Sequence, residues 1–154
     1  MAHAGDDTGM WDEEDGFFYD VLRLPDGRAS RLKVRSMVGL LPFCAATVFE
    51  GELIAKYPEI AERFRDFLAA RPELTAFIHD PVRQGAGGRR LASVLDETRL
   101  RRVLSKLLDE AEFFGPHGIR SLSRFHAEHP YVLQVDGKEY RVDYLPGDSD
   151  SGMF

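Results

Sequence analysis

Cysteine, long apolar runs and excess positive charge are all scarce in this chain, and each scarcity removes a class of function. With one thiol, Cys44, no intramolecular disulfide and no multi-cysteine zinc cluster can form. Cys44 lies in LLPFCAATVF, where the reading is a buried small hydrophobe in a reducing compartment. No window holds the roughly 18 consecutive apolar residues of a bilayer-crossing helix, and MAHAGDDTGM at the start lacks the basic and apolar regions of a secretory signal. A cytoplasmic location is the expectation. The 20 Lys and Arg against 26 Asp and Glu leave a formal charge of −6, which repels phosphate backbones and anionic lipid. Nucleic-acid and membrane partners are therefore not expected. The local basic clusters, Arg89-Arg90 and Arg99 to Arg102, are flanked by acids and read as solvated faces.

What is present suffices for a folded domain. A chain of 154 residues can bury roughly two thirds of its unfolded surface around one core. FFYDVLRLPDGRASRLKVRS alternates on both sides of Pro25-Asp26-Gly27 and predicts a β-hairpin, with Val21, Leu24, Leu32 and Val34 on its apolar face. Met37 to Tyr57 is almost wholly apolar, with Pro42 near a first helical turn, and reads as a helix buried on every side. PEIAERFRDFLAARP, from Pro58, places Ile60, Phe64, Phe67 and Leu68 at helical spacing and predicts an amphipathic outer helix. In DETRLRRVLSKLLDE, Asp96 is an N-cap and Leu100, Val103, Leu104, Leu107 and Leu108 form one stripe. Asp136-Gly137 then splits YVLQV from KEYRVDYL, a second hairpin, before the tail PGDSDSGMF. The inventory is mainly α with two β-hairpins, and a helix apolar all round needs more neighbours than these elements supply. The chain reads as part of something larger.

Three constellations invite chemistry. DPVRQGAGGRRL is glycine-rich but matches neither phosphate-loop spacing, and a mobile loop is the better reading. His126 and His129, with Glu128 between, stand at i and i+3 ahead of Pro130, whereas helical zinc pairs take i and i+4 and need a further ligand. Capping or packing is the better reading, and no metal is expected. The third is MWDEEDGFFYD. Asp12, Glu13, Glu14 and Asp15 are adjacent, so they diverge on any regular backbone and cannot by themselves form the facing carboxyl pair of an inverting glycosidase, about 6.5–9.5 Å apart. One of them could contact a sugar hydroxyl, with Trp11 stacking on the ring. The structural alternative is that the acidic run ends an element, Gly16 breaks it and Phe17-Phe18-Tyr19 begin the hairpin.

WDEEDGFFYDVLRLPDG, then LKVRSMVGLLP, GIRSLSRFHAEHPY and PGDSDSGMF, together resemble the C-terminal catalytic region of glycoside hydrolase family 63, especially its large bacterial glucosidase and mannosyl-oligosaccharide glucosidase-like members. The likeness runs from Trp11 to Phe154. It implies an (α/α)6 toroid, of which 11–154 would be a partial catalytic-domain segment and 1–10 a disordered or truncated start. It also implies inverting hydrolysis of α-linked glucosides or related glycosides by an acidic pair, with no metal or organic cofactor. In that family the general acid precedes the tryptophan–aspartate–glutamate block and the general base follows the SGMF block. Neither role therefore falls on a residue of this chain, which is expected to be inactive alone and to associate with the missing segments of the toroid. The resemblance makes Trp11, Asp12, Glu13, Arg120 and Ser121 candidates for lining or buttressing the sugar site, with Arg120 able to orient an acidic partner. The alternatives are a non-catalytic helical interaction protein on the same scaffold, and a split enzyme whose pieces associate.

Overall fold

A computed structural model describes residues 9–72, 78–80, 83–146 and 148–151, the last four through their backbone alone. In chain order the strands are β1 (Trp11–Asp12), β2 (Phe17–Phe18), β3 (Asp20–Arg23), β4 (Ala29–Leu32), β5 (Ala46–Phe49), β6 (Arg90–Ser93), β7 (Phe114–Gly115), β8 (Gly118–Ile119), β9 (Tyr131–Val135), β10 (Lys138–Leu145) and β11 (Asp148–Ser151). The α-helices are α1 (Gly51–Lys56), α2 (Pro58–Ala70) and α3 (Glu97–Leu107), and 3₁₀ turns occupy Met37–Cys44, Ala86–Gly88 and Arg124–Ala127. The chain divides into two compact units, His3–Leu41 with Arg102–Phe154 and Pro42–Arg101.

The first unit is built on the aromatic run. β1 pairs antiparallel with β2, Trp11 opposite Phe18 and Asp12 opposite Phe17. The turn between them closes at Gly16, whose N–H donates to the Asp12 carbonyl at 2.9 Å and whose φ of +63° favours glycine. Phe17, fully buried, stacks on Phe113 at 5.7 Å and meets Tyr19 at 5.3 Å, while Trp11 lies against Phe18 at 4.8 Å. Leu40, Val103, Leu122 and Val142 complete this core. Gly39 runs so close beneath that a Cβ there would lie 2.3 Å from the Phe17 ring.

Two further hairpins fall where the turn residues place them. β3 and β4 pair around Pro25-Asp26-Gly27, where the Arg28 N–H donates to Asp26 Oδ1 at 3.0 Å. Val21, Leu24, Leu32 and Val34 are half-buried there. β9 and β10 turn through Asp136 and Gly137, both at positive φ (51° and 74°), the backbone whose twist matches that of paired strands. β11 pairs with the other edge of β10, making a three-stranded sheet.

In the second unit β5 pairs antiparallel with β6. Pro58 opens α2 at a position where its missing N–H is one of the helix's unpaired donors in any case. α2 has no buried residue, although Ile60, Phe64 and Phe67 share its apolar side. Asp96 caps α3, its Oδ1 accepting the Arg99 N–H at 2.8 Å.

The mainly α expectation, and with it the toroid, is overturned: the chain is 35% helix and 31% strand, and pairings beyond the two expected hairpins account for the difference. Met37 to Tyr57 is where the reading failed. It is a 3₁₀ turn, the strand β5 and the short helix α1 rather than one helix, and it is not enclosed: Val38 is 52% and Val48 54% exposed. Thr47, Val48 and Phe49 are β-branched or aromatic and suit a pleat once a partner strand exists. That partner, β6, lies far along the sequence and left no mark in a local window. Cys44, expected buried, is exposed. The glycine-rich loop is a hydrogen-bonded turn in which the Gly85 N–H donates to the Arg89 carbonyl at 2.7 Å. The expectations for residues 1–8, for 81–82 and for Met153-Phe154 fall outside the described residues.

Candidate functional site

The acidic run is the natural starting point, because the fold gives each of its four members a different environment. Asp12, at the end of β1, is 5% exposed. Its Oδ1 accepts the Asp15 N–H at 2.9 Å, and its Oδ2 lies 3.1 Å from Lys33 Nζ and 3.6 Å from Arg31 Nη1. Glu13 and Glu14 point outward on the turn. Arg102, on α3, pairs with Glu13 at 3.0 Å and donates to the carbonyls of both Glu13 and Glu14. The same guanidinium lies 5.5 Å from the Trp11 ring centre. Asp15 turns back inward.

From Asp15 a network of charges runs into the unit. Asp15 Oδ2 accepts from Lys33 Nζ and from the Tyr19 hydroxyl, both at 3.0 Å, and its Oδ1 pairs with Arg35 Nη2 at 3.1 Å. Arg35 Nη1 then reaches Glu112 Oε1 at 2.5 Å, and Lys106 shares that oxygen at 3.2 Å. The other oxygen of Glu112 accepts from Ser123 Oγ at 2.5 Å. The Arg35 guanidinium also covers one face of Phe125 at 3.8 Å, and His129 stacks parallel to Phe125 at 4.3 Å. His126 ends the network: its Nε2 accepts the Arg35 backbone N–H at 2.8 Å. Its Nδ1 is 2.8 Å from the His129 carbonyl, and since a carbonyl only accepts, the proton sits on Nδ1.

These partners set the protonation states. Burial pushes the Asp12 carboxyl up, but the Asp15 N–H and the Lys33 ammonium together outweigh it, and its pKa falls below the usual value. The same holds for Asp15, where burial is outweighed by Lys33, the Tyr19 hydroxyl and Arg35. Both carboxylates are built to stay ionised, the opposite of what a general acid needs near neutrality. Burial raises the Tyr19 phenol further than Arg35 lowers it, so it remains a donor. Burial also depresses His126, with Arg35 adding to the effect, which keeps Nε2 free as an acceptor.

The five residues singled out from the sequence separate into two sets. Trp11, Asp12 and Glu13 belong to the acidic turn, where Trp11 is 2% exposed and packed in the core. Arg120 and Ser121 follow β8. Arg120 Nη1 donates to the carbonyls of Glu110, Glu112 and Phe114 at 3.0, 3.3 and 2.7 Å. Ser121 is exposed and its carbonyl accepts the Met37 N–H at 2.7 Å. What sequence reasoning missed are the residues between these sets: Asp15, Tyr19, Lys33, Arg35, Lys106, Glu112 and Ser123. The alternation that places Lys33 and Arg35 on one side of an extended segment was a usable signal for that pair. Glu112 and Ser123 carried none, since their partners lie far away in sequence.

Among the described residues no group of three His, Cys, Asp or Glu side chains is placed to hold a metal ion, and no helix is long and apolar enough to cross a membrane. No family model matches the chain, and no solved structure does. The chain is similar to the uncharacterized protein YMR196W of Saccharomyces cerevisiae, 43% identical over 146 residues, which cover 94% of this chain. That stretch is 13% of the yeast protein, so the chain spans a small part of the length of the relative it matches.

Proposed function

We propose that these residues act as a segment of a larger inverting glycoside hydrolase, acting on α-linked glucosides or related glycosides, whose acid and base carboxylates lie outside this chain. The observation that carries the segment reading is the uncovered apolar surface of the second unit, where Val48, Leu53, Tyr57, Ile60, Phe64 and Phe67 are all exposed. Side chains of this kind stay in solution only at the risk of association, and several of them exposed in one unit point to a surface that something covers. The small share of the yeast relative that the chain spans supports the same reading. The chemistry comes from the resemblance of the WDEEDGFFYDV, GIRSLS and PGDSDSGMF blocks to family 63. The charge-compensated Asp12 and Asp15 accord with a supporting rather than a proton-donating role. Cytoplasmic location, independence of cofactors and association with the remaining segments belong to this reading.

The test is to purify the longest native product that contains this segment and follow glucose release from a panel of α-glucosides by NMR, reading the anomer released first. Release of the β-anomer supports the proposal, whereas no release from the panel, or initial release of the α-anomer, sinks it. A second reading, a non-catalytic interaction protein, is favoured by the fully paired network around Arg35 and Glu112, which holds structure and leaves no reactive group unengaged. An intact product no longer than this chain, with no activity, selects that reading.

A further inference from the structure

The first unit holds a cleft of about 470 Å³ bordered by Pro116, His117, Arg120, Arg124, Tyr144 and Pro146, with the remaining residues of the β7–β8 hairpin between them. We infer that this cleft binds a small organic oxyanion, a carboxylate or a phosphate monoester, through Arg120 and Arg124.

The argument begins with charge. Two guanidinium groups and an imidazole border the cleft and no described aspartate or glutamate does, in a chain that carries six net negative charges. In the same unit Arg28, Arg31, Arg35, Arg102 and Arg141 each stand within 4 Å of a carboxylate. Arg120 and Arg124 form no such pair among the described residues. Arg124 also borders a neighbouring cleft with Glu110 and Glu128 and pairs with neither. Two uncompensated arginines at one concavity, where acids outnumber bases along the chain, make a local field that favours an anion.

Geometry adds to charge. All three hydrogen bonds of Arg120 to Glu110, Glu112 and Phe114 leave from Nη1, so they fix the guanidinium and leave its Nε–Nη2 edge unengaged. That edge presents two parallel N–H groups, the fork that takes the two oxygens of a carboxylate or phosphate at once. Gly115 lies beside that edge, where a Cβ would stand 3.5 Å from Arg120 Nε, in ordinary contact. The Tyr144 ring and two prolines supply apolar surface, which suits an anion carried on an organic skeleton better than a bare ion. This inference rests on the cleft itself and not on the glycosidase reading, which survives its failure.

The experiment is a titration of the ¹⁵N-labelled 154-residue chain with glucuronate, glucose 6-phosphate and, as the neutral control, glucose, following the amides of Gly115 and of His117 to Arg120. The expected result is saturable shifts with one or both anions at a Kd in about the millimolar range, no saturation with glucose, and weakening as salt is raised. The tighter anion identifies the headgroup. Arg124→Gln, at an exposed position, is expected to weaken anion binding by about tenfold or more with the rest of the spectrum unchanged. Glucose binding as tightly as glucuronate, no saturation by either anion below about 10 mM, or an Arg124→Gln chain that binds as well as the parent overturns the proposal.

Discussion

The two units of this chain use apolar residues in opposite ways. In His3–Leu41 with Arg102–Phe154, the large rings of Trp11, Phe17, Phe18, Tyr19 and Phe113 are buried against one another, and a chain of paired charges runs beside them. In Pro42–Arg101, Ile54 and Leu95 are the buried large apolar side chains among the described residues, while Val48, Phe64 and Phe67 face outward. The first unit stabilises itself with what it has. The second leaves much of its described apolar content exposed, so that content contributes little to the stability of the chain alone.

Core truncation probes this contrast most strongly. Phe17→Ala is expected to destabilise by about 3–5 kcal/mol, because it removes a fully buried ring stacked on Phe113, whereas Phe67→Ala should stay within about 0.5 kcal/mol. Urea unfolding of both variants checks this, and equal losses would break the comparison. Charge pairs give the next effect. Glu112→Ala leaves the half-buried Arg35 and Lys106 without their shared carboxylate, and a loss of about 3 kcal/mol is expected. Glu97→Ala removes an exposed pair with Arg101 on α3, and no measurable change is expected.

Acid should act through the same unit. The folded pKa of His126 lies below its free value of 6.5, so the unfolded chain binds the proton more tightly; stability is full above pH 6.5 and declines as pH falls through the folded value. Asp12 and Asp15, also depressed, add a second loss that begins below their free value of 3.8. Thermal melts between pH 7.5 and 5 should show Tm falling with pH, and His126→Gln should flatten that slope while lowering Tm throughout. A parent Tm that is flat over this range would show that His126 is not held as an acceptor. The smallest effects belong to the second unit. Phe64→Lys with Phe67→Lys should reduce binding of a hydrophobic dye without altering the unfolding midpoint beyond about 0.5 kcal/mol. Cys44, being exposed, should react with a thiol reagent in the folded chain as fast as in urea.

Legibility in the sequence followed the range of the interaction that decided each feature. The Asp136-Gly137 and Pro25-Asp26-Gly27 turns, the Asp96 cap and α2 after Pro58 were all readable because each depends on residues within a few positions. Met37 to Tyr57 was misread because a run of apolar residues fits a buried helix and a strand equally well until its partner is known. At the candidate site the sequence offered Trp11, Asp12 and Glu13 as a conspicuous block, and offered nothing to say that Asp15 rather than Glu14 would turn inward.

By itself, then, the sequence determined the local elements: which glycines and prolines turn the chain, which helix starts at a cap, and that acids outnumber bases. Only the tertiary structure decided that Arg35 joins Asp15 to Glu112, that His126 Nε2 accepts the Arg35 N–H, and that Arg120 and Arg124 share a cleft that no described aspartate or glutamate borders. The reason is physical. Turns and caps are settled by backbone geometry over a few bonds, whereas a side chain's partner, burial and protonation are settled by whatever distant segment packing brings within hydrogen-bond reach.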